Sequence, residues 1–367
     1  MVEWKKLGEI CQIGTGSNNR EDACDSGIYP FYVRSQEVLK IDSYLFDEEA
    51  ILIPGEGGVG DIFHYINGKY GLHQRTYRVH PISNMIIGKY IYYYLFANFK
   101  NYINQKSYKS TAASIRKPML TDFPICIPSL SEQTRIVGIL DTFSASIDNL
   151  KEQIAQRRKQ YEYYRNQLLD LEGKDEKDIH SWGEFCEMTK GNGVQKVDFV
   201  DEGVGCIHYG QIYTHYGSYT YTTNKFVSQE VFENAKKASK GDIVMTDTSE
   251  NVEDICKSVA YLGEEDIAVS NHALIIKHKQ NPKFLSFSTQ TNCFFLQKRK
   301  VVYGVKVSGI KPEHLSQIKI YLPSIEKQNE IVDILDKFEA SILNLEAQLC
   351  LREKQYEYYR NKLLTFE

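Results

Sequence analysis

PSLSEQTRIVGILDTFSASIDNLKEQIAQRRKQYEYYRNQLLDLE, residues 128–172, returns as PSIEKQNEIVDILDKFEASILNLEAQLCLREKQYEYYRNKLLTFE, residues 323–367. Aligned without a gap, the two copies agree at 27 of 45 positions, 195 residues apart. A repeat of that length means a duplicated domain-plus-helix rather than a solenoid. Within the first copy Ile136, Leu140, Phe143, Ile147, Leu150, Ile154, Arg157, Tyr161, Tyr164, Leu168 and Leu171 follow at alternating steps of four and three. The second copy gives Ile331, Leu335, Phe338, Ile342, Leu345, Leu349, Arg352, Tyr356, Tyr359, Leu363 and Phe366. An apolar period of 3.5 sustained over about five heptads and unbroken by proline is a coiled-coil seam, so the helices are expected to pack on each other.

Antiparallel pairing within one molecule would relate the halves by a pseudo-twofold axis. The same seam slot holds an arginine in both copies, Arg157 and Arg352, and a charge in a seam needs a partner or a route to solvent. As a register device it would be paired; otherwise its stem packs while its head reaches water.

The flanking segments are of another kind. Residues 1–127 and 181–322 carry short β-rich runs (AILIP, TYRVHP, GDIVM, ALIIKH, QIKIYLP) broken by glycine and asparagine, with one longer amphipathic stretch at 89–102. Duplication is still faintly visible there. Leu7-Gly8-Glu9-Ile10-Cys11 matches Trp182-Gly183-Glu184-Phe185-Cys186, and Lys117-Pro118 matches Lys311-Pro312. The expected plan is therefore α+β: a globular α/β domain over 1–127, a helix over 128–172, a charged linker over 173–180, a second globular α/β domain over 181–322 and a second helix over 323–367.

Composition narrows the class. The 367 residues allow two domains with separate cores, and there is no apolar run of about 18 residues and no basic, apolar-cored leader, so a cytoplasmic protein is expected. Eight scattered cysteines contain no CxxC pair, which fits a reducing compartment and speaks against zinc. With a net charge of −4, any nucleic-acid contact has to be local.

The order domain, helix, domain, helix, with Pro-Ser-x-x-x-Gln-x-x-Ile-Val-x-Ile-Leu-Asp opening each helix, resembles the DNA-specificity (S) subunits of type I restriction-modification systems. GIYPFYVRSQEV at 27–38, HYGQIYTHYG at 208–217 and VKVSGIKPEHL at 305–315 are similar to the target recognition domains of that family. The resemblance implies a non-catalytic subunit whose two recognition domains each read half of a bipartite, asymmetric sequence in double-stranded DNA, with the helices as spacer. It further implies that methyltransferase (M) subunits and a motor-nuclease (R) subunit dock on the chain and carry S-adenosylmethionine, ATP and Mg, the chain itself holding no cofactor.

Two motifs point elsewhere and are set aside. Gly55-Glu56-Gly57-Gly58-Val59-Gly60 fits GxGxxG, but residues 61–79 read as a hairpin instead of a helix, and the acidic partner about 20 residues on is missing. Asn281-Pro282-Lys283-Phe284 is near the Asn-Pro-Pro-aromatic motif of amino-methyltransferases, yet lysine replaces the second proline and no S-adenosylmethionine unit precedes it. No HExxH or GxSxG spacing is present, so neither catalytic nor metal-ligating residues are expected.

Reading DNA requires bidentate groups for base edges and cations for phosphates. In the first domain these cluster at Ser17-Asn18-Asn19-Arg20, Arg34-Ser35-Gln36, His73-Gln74-Arg75 and residues 106–116, with Lys106, Lys109, Ser110, Thr111 and Arg116. In the second they cluster at His208, Tyr209, Gln211, Tyr213 and Thr214, at Ser270-Asn271-His272, at Lys298-Arg299-Lys300 and at Lys306 and Lys311. The competing expectation is a coiled-coil protein–protein scaffold without sequence-specific DNA binding. Steep salt dependence and sequence dependence of DNA affinity would separate the two.

Overall fold

Pro128 and Ser129 end a strand, Pro124–Ile127, and begin a helix of 40 residues, Leu130–Leu169. Pro323 and Ser324 do the same after Lys319–Tyr321 for Ile325–Leu364, also 40 residues. The glutamine of the repeated signature explains why the motif recurs. Gln133 is fully buried, and its Nε2 donates to Met85 O and Pro128 O, both at 2.9 Å, while its Oε1 accepts from Ile87 N at 2.9 Å. Gln328 is equally buried; its Nε2 donates to Pro323 O at 2.8 Å and its Oε1 accepts from Asn281 N at 3.0 Å. Each amide thus satisfies backbone groups that the neighbouring chain would otherwise leave orphaned.

The computed structural model describes residues 2–106, 114–304 and 307–366. They form two compact units, Met1–Glu152 with Glu346–Glu367, and Gln153–Leu345. The division falls inside the helices, so each unit includes a segment of both.

In the first unit a six-stranded sheet runs, in spatial order, Cys11–Thr15, Thr76–Pro81, Phe46–Pro54, His64–Leu72, Tyr29–Tyr32, Val38–Ile41. All neighbours are antiparallel except Tyr29–Tyr32 against His64–Leu72. Alternation along Phe46–Pro54 feeds two cores: Ile51 and Ile53 face the helix Gly88–Lys106, with Tyr90, Leu95 and Phe99, while Ala50 and Leu52 pack with Tyr32, Tyr70 and Leu72. Ile136, Leu140 and Leu364 of the long helices complete the first of these cores. The sheet curls until Asn18 N donates to Leu72 O at 3.2 Å and Gln74 N donates to Asn18 O at 2.9 Å. Only glycine permits that approach at position 16, where a Cβ would lie 1.8 Å from Leu72 O.

The second unit has two five-stranded sheets. One runs Cys186–Lys190, Ala273–His278, Ile243–Thr246, Ser258–Tyr261, Tyr219–Thr220; the other runs Phe199–Val200, Lys225–Val227, Val204–Ile207, Ile267–Val269, Lys237–Ala238. Trp182, Phe284, Phe287 and Phe294 anchor its largest core, closed by Leu169, Ile331 and Leu335. The faint sequence duplication is structural. Glu3–Lys6 pairs with Pro124–Ile127 as Ile179–Ser181 pairs with Lys319–Tyr321, and the short helices Leu7–Ile10 and Trp182–Phe185 come directly after the first strand of each pair.

The Asn-Pro-Lys-Phe motif is a helix start. Asn281 caps Pro282–Ser288 by accepting from Phe284 N, Phe284 is fully buried, and Lys283 Nζ pairs with Asp336 at 2.8 Å. Lys89 and Asp141, 2.7 Å apart, repeat that pair in the first unit.

Within the first unit the paired segments run antiparallel: Phe143 stacks on Tyr359 and, further along, Lys151 lies 3.7 Å from Glu353. Ile147 and Ile154 are buried, and Phe143, Leu150, Ile342, Leu345 and Leu349 half-buried. The seam arginines lie on rings of the opposite helix. In the second unit the Arg157 guanidinium is 5.8 Å from the Phe338 ring centre, with Tyr164 stacked on the same ring and Tyr161 beside it. In the first, Arg352 is 5.6 Å from the Phe143 ring centre, with Tyr356 in the adjoining core. The last turn departs from expectation. Leu169 and Leu364, not Leu168, Leu171, Leu363 and Phe366, are the fully buried residues, because there each helix turns its apolar side to a domain core rather than to the other helix.

Candidate nucleic-acid interface

The curl of the first sheet brings three separate sequence clusters together. Asn19 follows the strand Cys11–Thr15, and its Oδ1 accepts from Gln74 Nε2 at 2.6 Å. Arg34 follows Tyr29–Tyr32, Arg75 precedes Thr76–Pro81, and both donate through Nη1 to one oxygen, Oε2 of Glu56, at 3.0 and 2.9 Å. Their side chains stay about half exposed, at 44% and 56%. Hydrogen bonds from Arg75 and then Arg34 hold the Glu56 carboxyl below the usual carboxylate range. Two guanidiniums that share one acceptor keep most of their N–H donors for another ligand, and a planar fork suits guanine edges and phosphates alike.

Other residues expected at this site sit differently. His73 is buried; its Nδ1 accepts from Arg75 N at 3.0 Å, and burial together with both arginines lowers its pKa, so it shapes the turn as a neutral ring. Asn18 Nδ2 donates to Asp22, and Arg20 opens the short helix Arg20–Asp22 at the surface. Ser35 Oγ donates to Glu37 O, whereas Gln36 is exposed and lines a cleft of about 560 Å³ with Tyr32, His64 and Lys89. Arg116 is exposed beside the helix Lys117–Thr121. Lys109, Ser110 and Thr111 lie outside the described residues, as does the Lys106 side chain.

In the second unit a groove of about 720 Å³ is lined by Tyr209, Tyr213, Thr214, His272, Lys196 and Asn251, among others, and so gathers four of the expected residues. The helix Tyr209–Thr214 carries three of them, and Tyr213 OH donates to Thr248 O at 2.5 Å, burial pushing its pKa up to about 12. His272 adopts φ +65° and stands with its Nδ1 3.8 Å from Asp247 Oδ1, while Lys190 Nζ is 2.8 Å from Asp247 Oδ2. Asn271 Oδ1 accepts from Gly193 N at 3.1 Å. Lys311 is exposed before the helix Pro312–Leu315, and Lys306 lies outside the described residues.

Two residues expected here are turned inward. His208 is buried with Nδ1 accepting from Gly210 N, and Gln211 is buried with Oε1 accepting from His208 N and Nε2 donating to Asn224. Both amide ends of Gln211 are committed within the fold. Ser270 is fully buried, and Lys298 is buried with Nζ donating to Glu253 O and Ile255 O. Sequence reasoning missed the carboxylates Glu56 and Asp247 and the cations Lys190 and Lys196. The Glu56 signal was present in the glycine run that resembles a nucleotide loop.

The family model for the type I restriction modification DNA specificity domain matches residues 1–157 and again 181–350. The chain belongs to this family. Its double match follows the internal duplication. A putative type I restriction enzyme specificity subunit of Haemophilus influenzae is 26% identical, the alignment covering 100% of this chain and 96% of that one. The EcoDI type I restriction enzyme specificity subunit of Escherichia coli is 35% identical over 170 residues, 46% of this chain and 37% of that one. Among solved structures, the S subunit of a type I restriction-modification system from M. genitalium matches with a TM-score of 0.62 at 16% identity, covering 100% of this chain and 97% of that one. At such identity the likeness is one of fold, and it agrees with the two-domain, two-helix plan. Among the described residues no helix is long and apolar enough to cross a membrane, and no cluster of three His, Cys, Asp or Glu side chains is placed to hold a metal.

Proposed function

We propose that each unit reads one half of a bipartite, asymmetric sequence in double-stranded DNA, in the cytoplasm, and that the chain itself performs no chemistry. Methyltransferase and motor-nuclease subunits dock on it and bring S-adenosylmethionine, ATP and Mg, with the paired long helices as the frame that spaces the readers. The observation that carries the reading is the pairing of a repeated frame with unlike loops. The family model matches twice, while the exposed face presents Arg34 and Arg75 in one unit and Lys190, Tyr209, Tyr213 and His272 in the other. Unlike side chains on like frames read unlike half-sites.

The test is an exchange. Residues 1–127 are replaced by the equivalent segment of a related subunit, the chimera is expressed with its partner subunits, and cellular DNA is sequenced for methylated sites. One half of the methylated sequence should change and the other stay. Both halves changing together would refute independent readers. Binding that ignores both salt and sequence would leave only a scaffold.

A further inference from the structure

The glycine run at 55–60 builds a rigid mount for Glu56. Gly55 N donates to Arg75 O at 2.9 Å, and Gly55 O accepts from Ile115 N at 2.7 Å. A Cβ at position 55 would lie 2.9 Å from Arg75 O, and Gly57 and Gly58 take φ of +70° and +75°, which side chains disfavour. Glu56 also bridges Ser114 through its backbone. A backbone fixed so tightly places one carboxylate between two arginines from different loops. Stability does not account for it, since the three side chains are 39–56% exposed and exposed pairs contribute little.

The second unit has a carboxylate near the same point, with other residues and one position earlier. Thr76 pairs with Pro54 as Ala273 pairs with Thr246, so Arg75 and His272 precede equivalent strands, while Asp247 takes the place of Gly55, one residue before that of Glu56. Gly55 O accepts from Ile115 N as Asp247 O accepts from Ile310 N. Asp247, 5% exposed at its side chain, pairs with Lys190 and faces His272, and its Oδ1 has no hydrogen-bond partner among the described residues.

We propose that Glu56 is a specificity-determining positioning residue of the first unit, its carboxylate holding Arg34 and Arg75 in the orientation that meets base edges and keeping them from phosphates. The proposal rests on the DNA-reading function above. A free arginine is drawn to any phosphate, which raises affinity for every sequence alike. A carboxylate on the same oxygen-bridged pair repels phosphate and fixes the forks, so non-target binding falls while the bidentate contact remains available. Discrimination is the difference of the two.

The experiment uses the full chain co-purified with its methyltransferase subunit, and a randomised double-stranded DNA library as probe, with selected and non-target duplexes titrated across salt. For Glu56→Gln, which keeps the shape and removes the charge, non-target binding should rise about tenfold and its salt slope should steepen by about one unit. Discrimination should fall about tenfold or more at positions of one half-site only. Glu56→Asp should fall between the two proteins, and Arg75→Lys should relax the same positions without changing the salt slope. A wild-type complex with no sequence preference would remove the DNA-reading function itself. A wild-type complex that discriminates, beside a Glu56→Gln complex that discriminates equally well everywhere or loses both half-sites equally, would overturn the role of Glu56 alone.

Discussion

Glu339 shows how position on the helix decides the chemistry of a carboxyl. It lies on the second long helix, half-buried, where its Oε1 accepts from Tyr161 OH at 3.0 Å and from Ser218 Oγ at 2.8 Å. Burial, partly offset by those two hydrogen bonds, raises its pKa above the ordinary 4.5; Asp336 adds to the rise and Lys283 opposes it. Glu56 moves the other way, because it is exposed and held by arginines. For a carboxyl whose folded pKa is raised, the folded state holds more protons than the unfolded chain between 4.5 and the raised value, so its contribution to stability falls as pH climbs through that window. Glu339→Gln keeps an acceptor for Tyr161 and Ser218 and removes the titration. Denaturant midpoints of the variant should therefore lack the decline that the parent shows from about pH 4.5 upward, and at neutral pH the variant should be at least as stable. A parent-like decline in the variant would assign the slope to other groups.

At the scale of elements, what ties each long helix to its domain is a buried glutamine rather than the seam. Gln133→Leu would fill the space and leave Ile87 N, Met85 O and Pro128 O without their partners, in a site with no exposure. The expected cost is about 2–4 kcal/mol, read as a drop in the urea midpoint, with Gln328→Leu costing a similar amount in the second unit. A loss below about 0.5 kcal/mol would mean that water or a local shift replaces the amide. The contrast between glutamine and seam also marks what was legible beforehand. The helices and the duplication could be read because a period of 3.5 survives in the residues themselves. The last turn could not, since Leu169 and Leu364 answer to domain cores made of residues such as Trp182 and Tyr94 from remote segments. Likewise Asn19, Arg34, Glu56 and Arg75 meet only because the sheet curls, and no spacing along the chain reports that curl. The loop candidates named from composition divided accordingly: Arg34 and Arg75 stand exposed, while His73, His208 and Gln211 are drawn inward to satisfy backbone groups.

For the molecule as a whole, the first unit is not closed by residues 1–152 alone. It takes in Glu346–Glu367, and Leu364 is 2% exposed in the core that holds Ile136 and Leu140. Arg352 lies over Phe143, Tyr359 stacks on it, and Tyr356 and Leu363 pack beside Leu364. The residues that close this unit have counterparts in the first helix: Arg157, Tyr161, Tyr164, Leu168 and Leu169 occupy the same places in the repeat as Arg352, Tyr356, Tyr359, Leu363 and Leu364. A fragment ending at Glu172 therefore lacks the closing segment yet carries its near-copy on its own helix. Two such fragments can each supply residues 153–172 to the other in an isologous pair, which buries both seams. The fragment is expected to sediment as a dimer at micromolar concentration. With the methyltransferase partner it should direct methylation to a palindromic site built from one half of the parent sequence, because both readers are then the same. Tyr161→Asp together with Leu168→Asp would place charge in the swapped segment and should return the fragment to a poorly folded monomer, whereas the same pair placed at Tyr163 and Gln167, off the seam, should leave it dimeric. A stable, fully folded monomer of the unsubstituted fragment would show that the first unit closes without the second helix.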